Sequence, residues 1–331
     1  MLKTSLVLSV ALAVTSLPGY SQTSKEGKQE EAIKLRTELV AIDVQVVDRK
    51  SQRVIGDLAE IDFEIYDDGV KQRIDQFSQD KLPLSIVLLL DASGSMWTAL
   101  ERLRSNTLEA LQTLKPEDEV AVVVTANETL LVQDFTRDKL RVAETLRNLE
   151  LKTFGDNGIL LHDSLYRAAS HLQKAANPED RRVVIAVTDN QTIPAYNWRN
   201  FSKEQAVEMV LENGVVVCGL VINHNVAARF TSKILNFPQT IGAGDVHKYA
   251  ELTGGEVLSA NNQTVGQKLV ELISHLRTRY CLAFVPSNTK RDGRLRRVKV
   301  MLAAGTEQRI RKSGSAGYAI RTRSGYYAGK R

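Results

Sequence analysis

Leu84-Ser85-Ile86-Val87-Leu88-Leu89-Leu90-Asp91-Ala92-Ser93-Gly94-Ser95-Met96 decides how this chain is read. Seven mostly aliphatic residues in a row mark a strand covered on both faces. The run ends in Asp91, and hydroxyls follow at alternating positions, Ser93 and Ser95. Trp97, Leu100, Leu103, Leu108, Leu111 and Leu114 then recur at helical spacing. Strand, oxygen-bearing turn and helix therefore follow one another. Hard divalent cations such as Mg²⁺ prefer oxygen ligands, keep part of their water shell and accept one or two carboxylates. Open α/β sheets place ligands at the carboxyl ends of their strands. The stretch points to cation-assisted binding rather than to a reaction.

Outward from this turn the same grammar repeats. Residues 119–125 and 182–189 read as buried strands, and the second ends in Asp189. Residues 215–222 form another strand, 256–259 a short one and 129–133 an edge strand. Helical periods cover 139–149, 160–175, 203–212, 246–252 and 265–277. Strands alternating with helices imply an α/β fold with a doubly wound, mostly parallel sheet.

Pro83 closes a different kind of region. Val40, Ile42, Val44 and Val46 alternate with more polar or smaller neighbours, Phe63 and Ile65 continue the pattern, and Asp67-Asp68-Gly69 signals a tight turn before 70–77. After Arg279 the period returns to two, in residues 280–285, 296–302, 308–311 and 316–322. Neither flank alone has enough strands to bury a sandwich core. The economical arrangement is one β-sandwich built from residues 36–82 and 280–331, with the α/β domain, 83–279, inserted between them.

The remaining segments bear on location and partners. Residues 1–21 read as a signal peptide: Lys3 gives a positive start, 4–17 are apolar, and Gly19-Tyr20-Ser21 offers small residues at the cut. Residues 22–35 read as a flexible polar segment. The expectation is a secreted, periplasmic or envelope protein with no transmembrane segment in the mature chain. Cys218 and Cys281 both sit in strand-like runs. A bridge is open in an exported protein, and buried free thiols are the commoner outcome. The net charge of +5 hides a basic end, with 13 Lys/Arg against Asp292 and Glu307 from residue 287 onward. These charges alternate with apolar residues in 297–302, and no stacking aromatics interleave with residues 291–297. A solvated strand face accounts for them without nucleic acid.

At Asp91, Ser93 and Ser95 the chain resembles the von Willebrand factor A family, whose metal-ion-dependent adhesion site begins Asp-x-Ser-x-Ser. Phe63-Glu64-Ile65-Tyr66-Asp67-Asp68-Gly69-Val70, Leu82-Pro83-Leu84-Ser85, Thr253-Gly254-Gly255, Arg291-Asp292-Gly293 and Ser324-Gly325-Tyr326-Tyr327 resemble its acidobacterial-type secreted members. The resemblance spans residues 36–328. It implies that Asp91, Ser93 and Ser95 form the first metal loop and Asp189 the third, with Asn190 where Gly is usual. The second loop departs from the pattern. Asn157-Gly158-Ile159-Leu160-Leu161-His162-Asp163 puts Ile159 where a Thr ligand belongs. Ile offers no oxygen, so the implied Mg²⁺, Mn²⁺ or Ca²⁺ site is weakened unless Thr153, Asp156 or water substitutes. The implied partner is a protein whose acidic side chain completes the cation's shell.

An enzyme is the weaker reading. The Gly-x-Ser-x-Gly elbow is absent around Ser93 and Ser95. No His-Glu-x-x-His or paired Cys/His spacing suggests zinc, and no Gly-x-x-x-x-Gly-Lys loop is present. The expectation is a non-enzymatic binding or adhesion protein. The alternatives are an assembly module with a decayed metal site and, below it, a serine hydrolase. The plainest alternative for the turn itself is that Asp91 and the serines only cap the helix.

Overall fold

A computed structural model describes residues 39–79, 82–150, 159–176, 181–192, 200–223, 245–312 and 317–329. All belong to one compact unit, Glu38–Arg331. The expected signal peptide (1–21) and flexible segment (22–35), together with Thr153 and Asp156, lie outside the described residues.

The chain opens with β1 (Val40–Asp48), β2 (Phe63–Asp67), β3 (Val70–Gln72) and β4 (Gln76–Gln79). The α/β part follows as β5 (Leu84–Asp91), α1 (Trp97–Gln112), β6 (Glu119–Thr125), β7 (Thr129–Thr136), α2 (Lys139–Asn148), α3 (Leu161–His171) and β8 (Arg181–Thr188). It continues with α4 (Lys203–Glu212), β9 (Val216–Ile222), α5 (Val246–Thr253), β10 (Val257–Ala260) and α6 (Val265–Arg277). The last elements are β11 (Tyr280–Phe284), β12 (Leu295–Leu302), α7 (Ala304–Lys312), β13 (Tyr318–Thr322) and β14 (Gly325–Tyr327).

The central sheet has six strands in the order β10-β9-β8-β5-β6-β7. Its pairings are parallel except β6 with β7. Every residue of β5 is buried, as its unbroken aliphatic run requires. Side chains alternate between two cores because successive residues of a strand face opposite ways. Ile86, Leu88 and Leu90 pack with Leu100 and Leu103 of α1 and Leu269 of α6. Val87 and Leu89 pack with Leu165 of α3 and Val210 of α4. The two helical layers thus follow from the pattern of one strand.

The flanking strands form two four-stranded sheets, β13-β1-β11-β4 and β14-β12-β2-β3. β1 pairs antiparallel with β11, Ile42 opposite Leu282, and with β13, Val46 opposite Ile320. The sheets share one core containing Ile42, Val44, Ile65, Leu282 and Val300. Phe63 and Tyr280 pack there with ring centroids 5.0 Å apart. The Tyr280 hydroxyl stays satisfied by donating to the Ile55 carbonyl (2.9 Å) and accepting from the Leu58 amide (3.0 Å).

Two local expectations need correction. Residues 308–311 are not a strand but lie in α7, which buries Thr306 and Ile310. Those residues are four apart, so they share a helix face, and the short window mimicked alternation. The helix expected over 160–175 ends at His171 and continues only as a 3-10 turn, Leu172–Lys174. Cys218 and Cys281 are free thiols. No helix among the described residues is long and apolar enough to cross a membrane.

Candidate cation-binding site

β5 delivers Asp91 to the carboxyl edge of the central sheet, and neighbouring β8 ends at Thr188, one residue before Asp189. The turn after Asp91 closes on itself. Asp91 Oδ1 accepts from the Ser93 amide (3.0 Å) and the Ser93 hydroxyl (2.6 Å). Ser93 Oγ and Ser95 Oγ lie 3.3 Å apart, and Ser95 Oγ donates to Asp189 Oδ2 (2.6 Å). The four residues singled out in the sequence thus form one chain of oxygen contacts between two strand ends. Asp91 and Ser93 are buried at its floor, whereas Ser95 is exposed at its rim.

Burial pushes the Asp91 acid up to about 6 despite the hydrogen bonds from Ser93 and Thr188, and the charge of Asp189 adds to the rise. Two carboxylates beside two hydroxyl oxygens form a donor set suited to a hard cation. No group of three or more His, Cys, Asp or Glu that could hold a metal occurs among the described residues.

The helix-cap alternative does not describe the turn. Ser93 makes no side-chain cap hydrogen bond, and neither does Met96 at the start of α1. The serine hydroxyls go to carboxylates instead. Trp97 steadies the turn through its indole, which donates to the Ala92 carbonyl (3.1 Å).

Several participants were not singled out in the sequence. Thr188 Oγ1 donates to Asp91 Oδ2 (2.7 Å) and accepts from the Asn190 amide (2.9 Å). Its position beside Asp189 at a strand end was the available signal. Asn190 adopts a left-handed φ of 61°, which explains why Gly is usual there and why Asn is tolerated. Its side chain reaches Asp245 Oδ1 (3.0 Å) and the Val246 amide (3.0 Å), joining the loop to the first turn of α5.

Around the second loop, Ile159 is buried and forms an isolated bridge with Thr192. A hydroxyl group of a different origin lies nearby in the fold. Thr125 at the end of β6, whose carbonyl accepts from the Ala92 amide (2.8 Å), meets Ser164 of α3 with their Oγ atoms 2.6 Å apart. Thr129 Oγ1 stands 3.0 Å from Ser164 Oγ and donates to Asp163 Oδ2 (3.3 Å). Asp163 is further held by Arg167 Nε (2.8 Å) and the Phe201 amide (3.2 Å).

Comparison with known proteins finds a family match over part of the chain. Residues 86–191 match the family model of the von Willebrand factor type A domain. That stretch, from within β5 to the loop after Asp189, is a von Willebrand factor type A domain, a fold that in general supports binding. Among solved structures, it resembles the conserved hypothetical protein BatB from Bacteroides thetaiotaomicron at 14% identity, covering 58% of this chain and 98% of that one with a TM-score of 0.43. It also resembles a von Willebrand factor type A protein from Catenulispora acidiphila at 13% identity, covering 81% of this chain and 74% of that one with a TM-score of 0.44. Among curated proteins no sequence match is found.

Proposed function

We propose that this protein is an exported, non-enzymatic binding module that engages a protein ligand through a divalent cation. Asp91, Ser93, Ser95 and Asp189 are the residues that would hold the cation, Mg²⁺ or alternatively Mn²⁺ or Ca²⁺. The carrying observation is the continuous contact from Asp91 through both serines to Asp189. When bound, the ion supplies a Lewis-acid position that an acidic side chain of the partner fills. The protein's own part is to keep the floor dry and fixed, with Thr188 and the Ser93 amide orienting Asp91, and to leave the rim at Ser95 open. Export rests on the apolar N-terminal stretch, and the envelope is the compartment it implies.

Titration calorimetry of the full chain with Mg²⁺ and Mn²⁺ tests the reading. Saturable binding that Asp189→Ala abolishes supports it. Heats indistinguishable from dilution for both ions overturn it.

Ile159 favours a second reading, an assembly module whose cation site has decayed, because its buried side chain has no oxygen to contribute. Partner capture from envelope extracts that persists in EDTA separates this reading from the first. A hydrolase is disfavoured by the hydroxyl partners: Ser93 donates to Asp91 and Ser95 to Asp189, both carboxylates rather than a histidine base.

A further inference from the structure

β8 begins with two adjacent arginines and ends beside the cation site. Successive strand side chains diverge, and Arg181 and Arg182 meet different fates. Arg181 is buried, and its guanidinium is fully engaged. It donates to Asp43 Oδ1 (2.8 Å), the Leu276 carbonyl (2.8 Å) and the Arg279 carbonyl (3.3 Å). Arg182 makes only a long contact to the Asn213 carbonyl (3.4 Å), and its Nε is buried with no acceptor among the described residues.

Arg323, between β13 and β14, is in the same condition. Its Nη2 donates to the Ala41 carbonyl (2.7 Å), its guanidinium lies 5.7 Å from the Tyr326 ring centroid, and its Nε is buried with no acceptor among the described residues. Gly214, at a left-handed φ of 60°, leaves room beside it: a Cβ there would sit 3.5 Å from Arg323 Nη1.

Both arginines line one cavity of about 190 Å³ with Arg181, Asp43, Asn213 and Cys281. That is far above the ~15 Å³ needed for a single water. Three arginines line it against one carboxylate, Asp43, which Arg181 already neutralises.

We propose that this cavity binds a small molecule bearing a compact oxyanion, such as a phosphate, between Arg182 and Arg323. The planar guanidinium fork matches a phosphate, sulfate or carboxylate through paired N–H donors. Burial pushes Arg323 down to about 10, with Asp43 opposing the fall. It stays a cation at neutral pH, and an adjacent anion offsets the cost of burying that charge. Arg182 belongs to the α/β sheet, whereas Arg323 and Asp43 belong to the sandwich strands and their loop. The anion would therefore bridge the two parts. The site is distinct from the cation site: Arg182 lies near the start of β8 and Asp189 just past its end, seven residues on, about 23 Å at ~3.3 Å per residue.

The test is titration of the full chain with inorganic phosphate at ionic strength held constant with NaCl, read by calorimetry and by Tm. Saturable heats and a saturable rise in Tm are expected. Arg182→Gln and Arg323→Gln each weaken binding at least tenfold, and Arg182→Lys, which keeps the charge but loses the fork, weakens it severalfold. Asp189→Ala leaves phosphate binding unchanged. Should Arg323→Gln fail to fold through loss of its bond to Ala41, the two Arg182 variants decide. Phosphate acting no more strongly than chloride, or binding unaltered in both Arg182 variants, overturns the proposal.

Discussion

At the scale of single residues, Ser95 is the joint between two strand ends. Its hydroxyl is exposed, donates to Asp189 and lies 3.3 Å from Ser93 Oγ. Ser95→Ala is expected to change stability by no more than ~0.5 kcal/mol, since exposed positions rarely do more. Under the proposed function the same change is expected to lower Mg²⁺ affinity at least tenfold by calorimetry, and unchanged affinity would remove Ser95 from the proposed ligand set. Ile159 makes the opposite case. It is 1% exposed and packed in one of the two central cores. Ile159→Thr is expected to cost ~1–3 kcal/mol in denaturant unfolding, because a hydroxyl replaces buried apolar surface. Under the proposed function it is also expected to tighten Mg²⁺ binding, and unchanged or looser binding in a folded variant would show that the hydroxyl is not presented to the site. Asp91, Ser93 and Ser95 were legible as candidates because their types and spacing are local, and Asp189 because it too follows a buried strand. Thr188, Thr125 and Ser164 were not, because their roles arise only where strands and a helix from distant parts of the chain meet.

At the scale of elements, long runs were legible and short ones were not. β5 declared itself through seven mostly aliphatic residues, and α6 through Val265, Leu269, Leu272 and Leu276. The α7 segment offered only Thr306 and Ile310 as buried residues, too few to separate a period of 3.6 from one of 2. Its position over the sandwich core decides the matter: Ile310 packs there with Leu302, and Thr306 Oγ1 donates to Asp62 Oδ1 (2.5 Å). The α5–β10 corner shows how closely elements approach. Gly254 ends α5 at a φ of 75°, and at Gly255 a Cβ would collide with the Val217 carbonyl of β9. Backbone cannot step aside as a side chain does, so Gly255→Ala is expected to cost on the order of 3 kcal/mol. A Tm within 2 °C of the parent, roughly below the shift expected from 1 kcal/mol, would show that the corner relaxes instead.

At the scale of the molecule, the sandwich and the α/β part are joined by a charged network. Arg321 of β13 donates to Glu256 Oε2 (2.8 Å) and to Gln45 Oε1 (2.9 Å) of β1, while His275 of α6 contacts Glu256 Oε1 at 3.1 Å. The hydrogen bond to Glu256 raises His275 above its ordinary 6.5, with Glu271 adding to the rise and burial and Arg321 opposing it. Burial pushes Glu256 up, but His275, Arg321 and Arg279 outweigh it and hold the acid below its ordinary 4.5. A raised histidine stabilises fully below 6.5 and loses that contribution as pH rises through its folded value. A lowered carboxylate stabilises above 4.5 and loses its contribution as pH falls through its folded value. The pair therefore contributes most between those two ordinary values. His275→Gln is expected to cost on the order of 1 kcal/mol at pH 6 and progressively less toward pH 9. Tm profiles of the two proteins that run parallel from pH 6 to 9 would rule this out.

What the sequence determined by itself is whatever one segment expresses in its own periodicity. That covers the buried parallel strands, the amphipathic helices, the alternating flanks and an Asp-x-Ser-x-Ser turn at a strand end. Only the tertiary structure decided how distant segments meet. It set the pairing of β1 with β11 and β13, the link from Ser95 to Asp189, and the arginine-lined cavity between Arg182 and Arg323. The reason is physical: hydrophobic periodicity is a local property of the chain, whereas ligand geometry and uncompensated charge depend on contacts between residues tens to hundreds of positions apart.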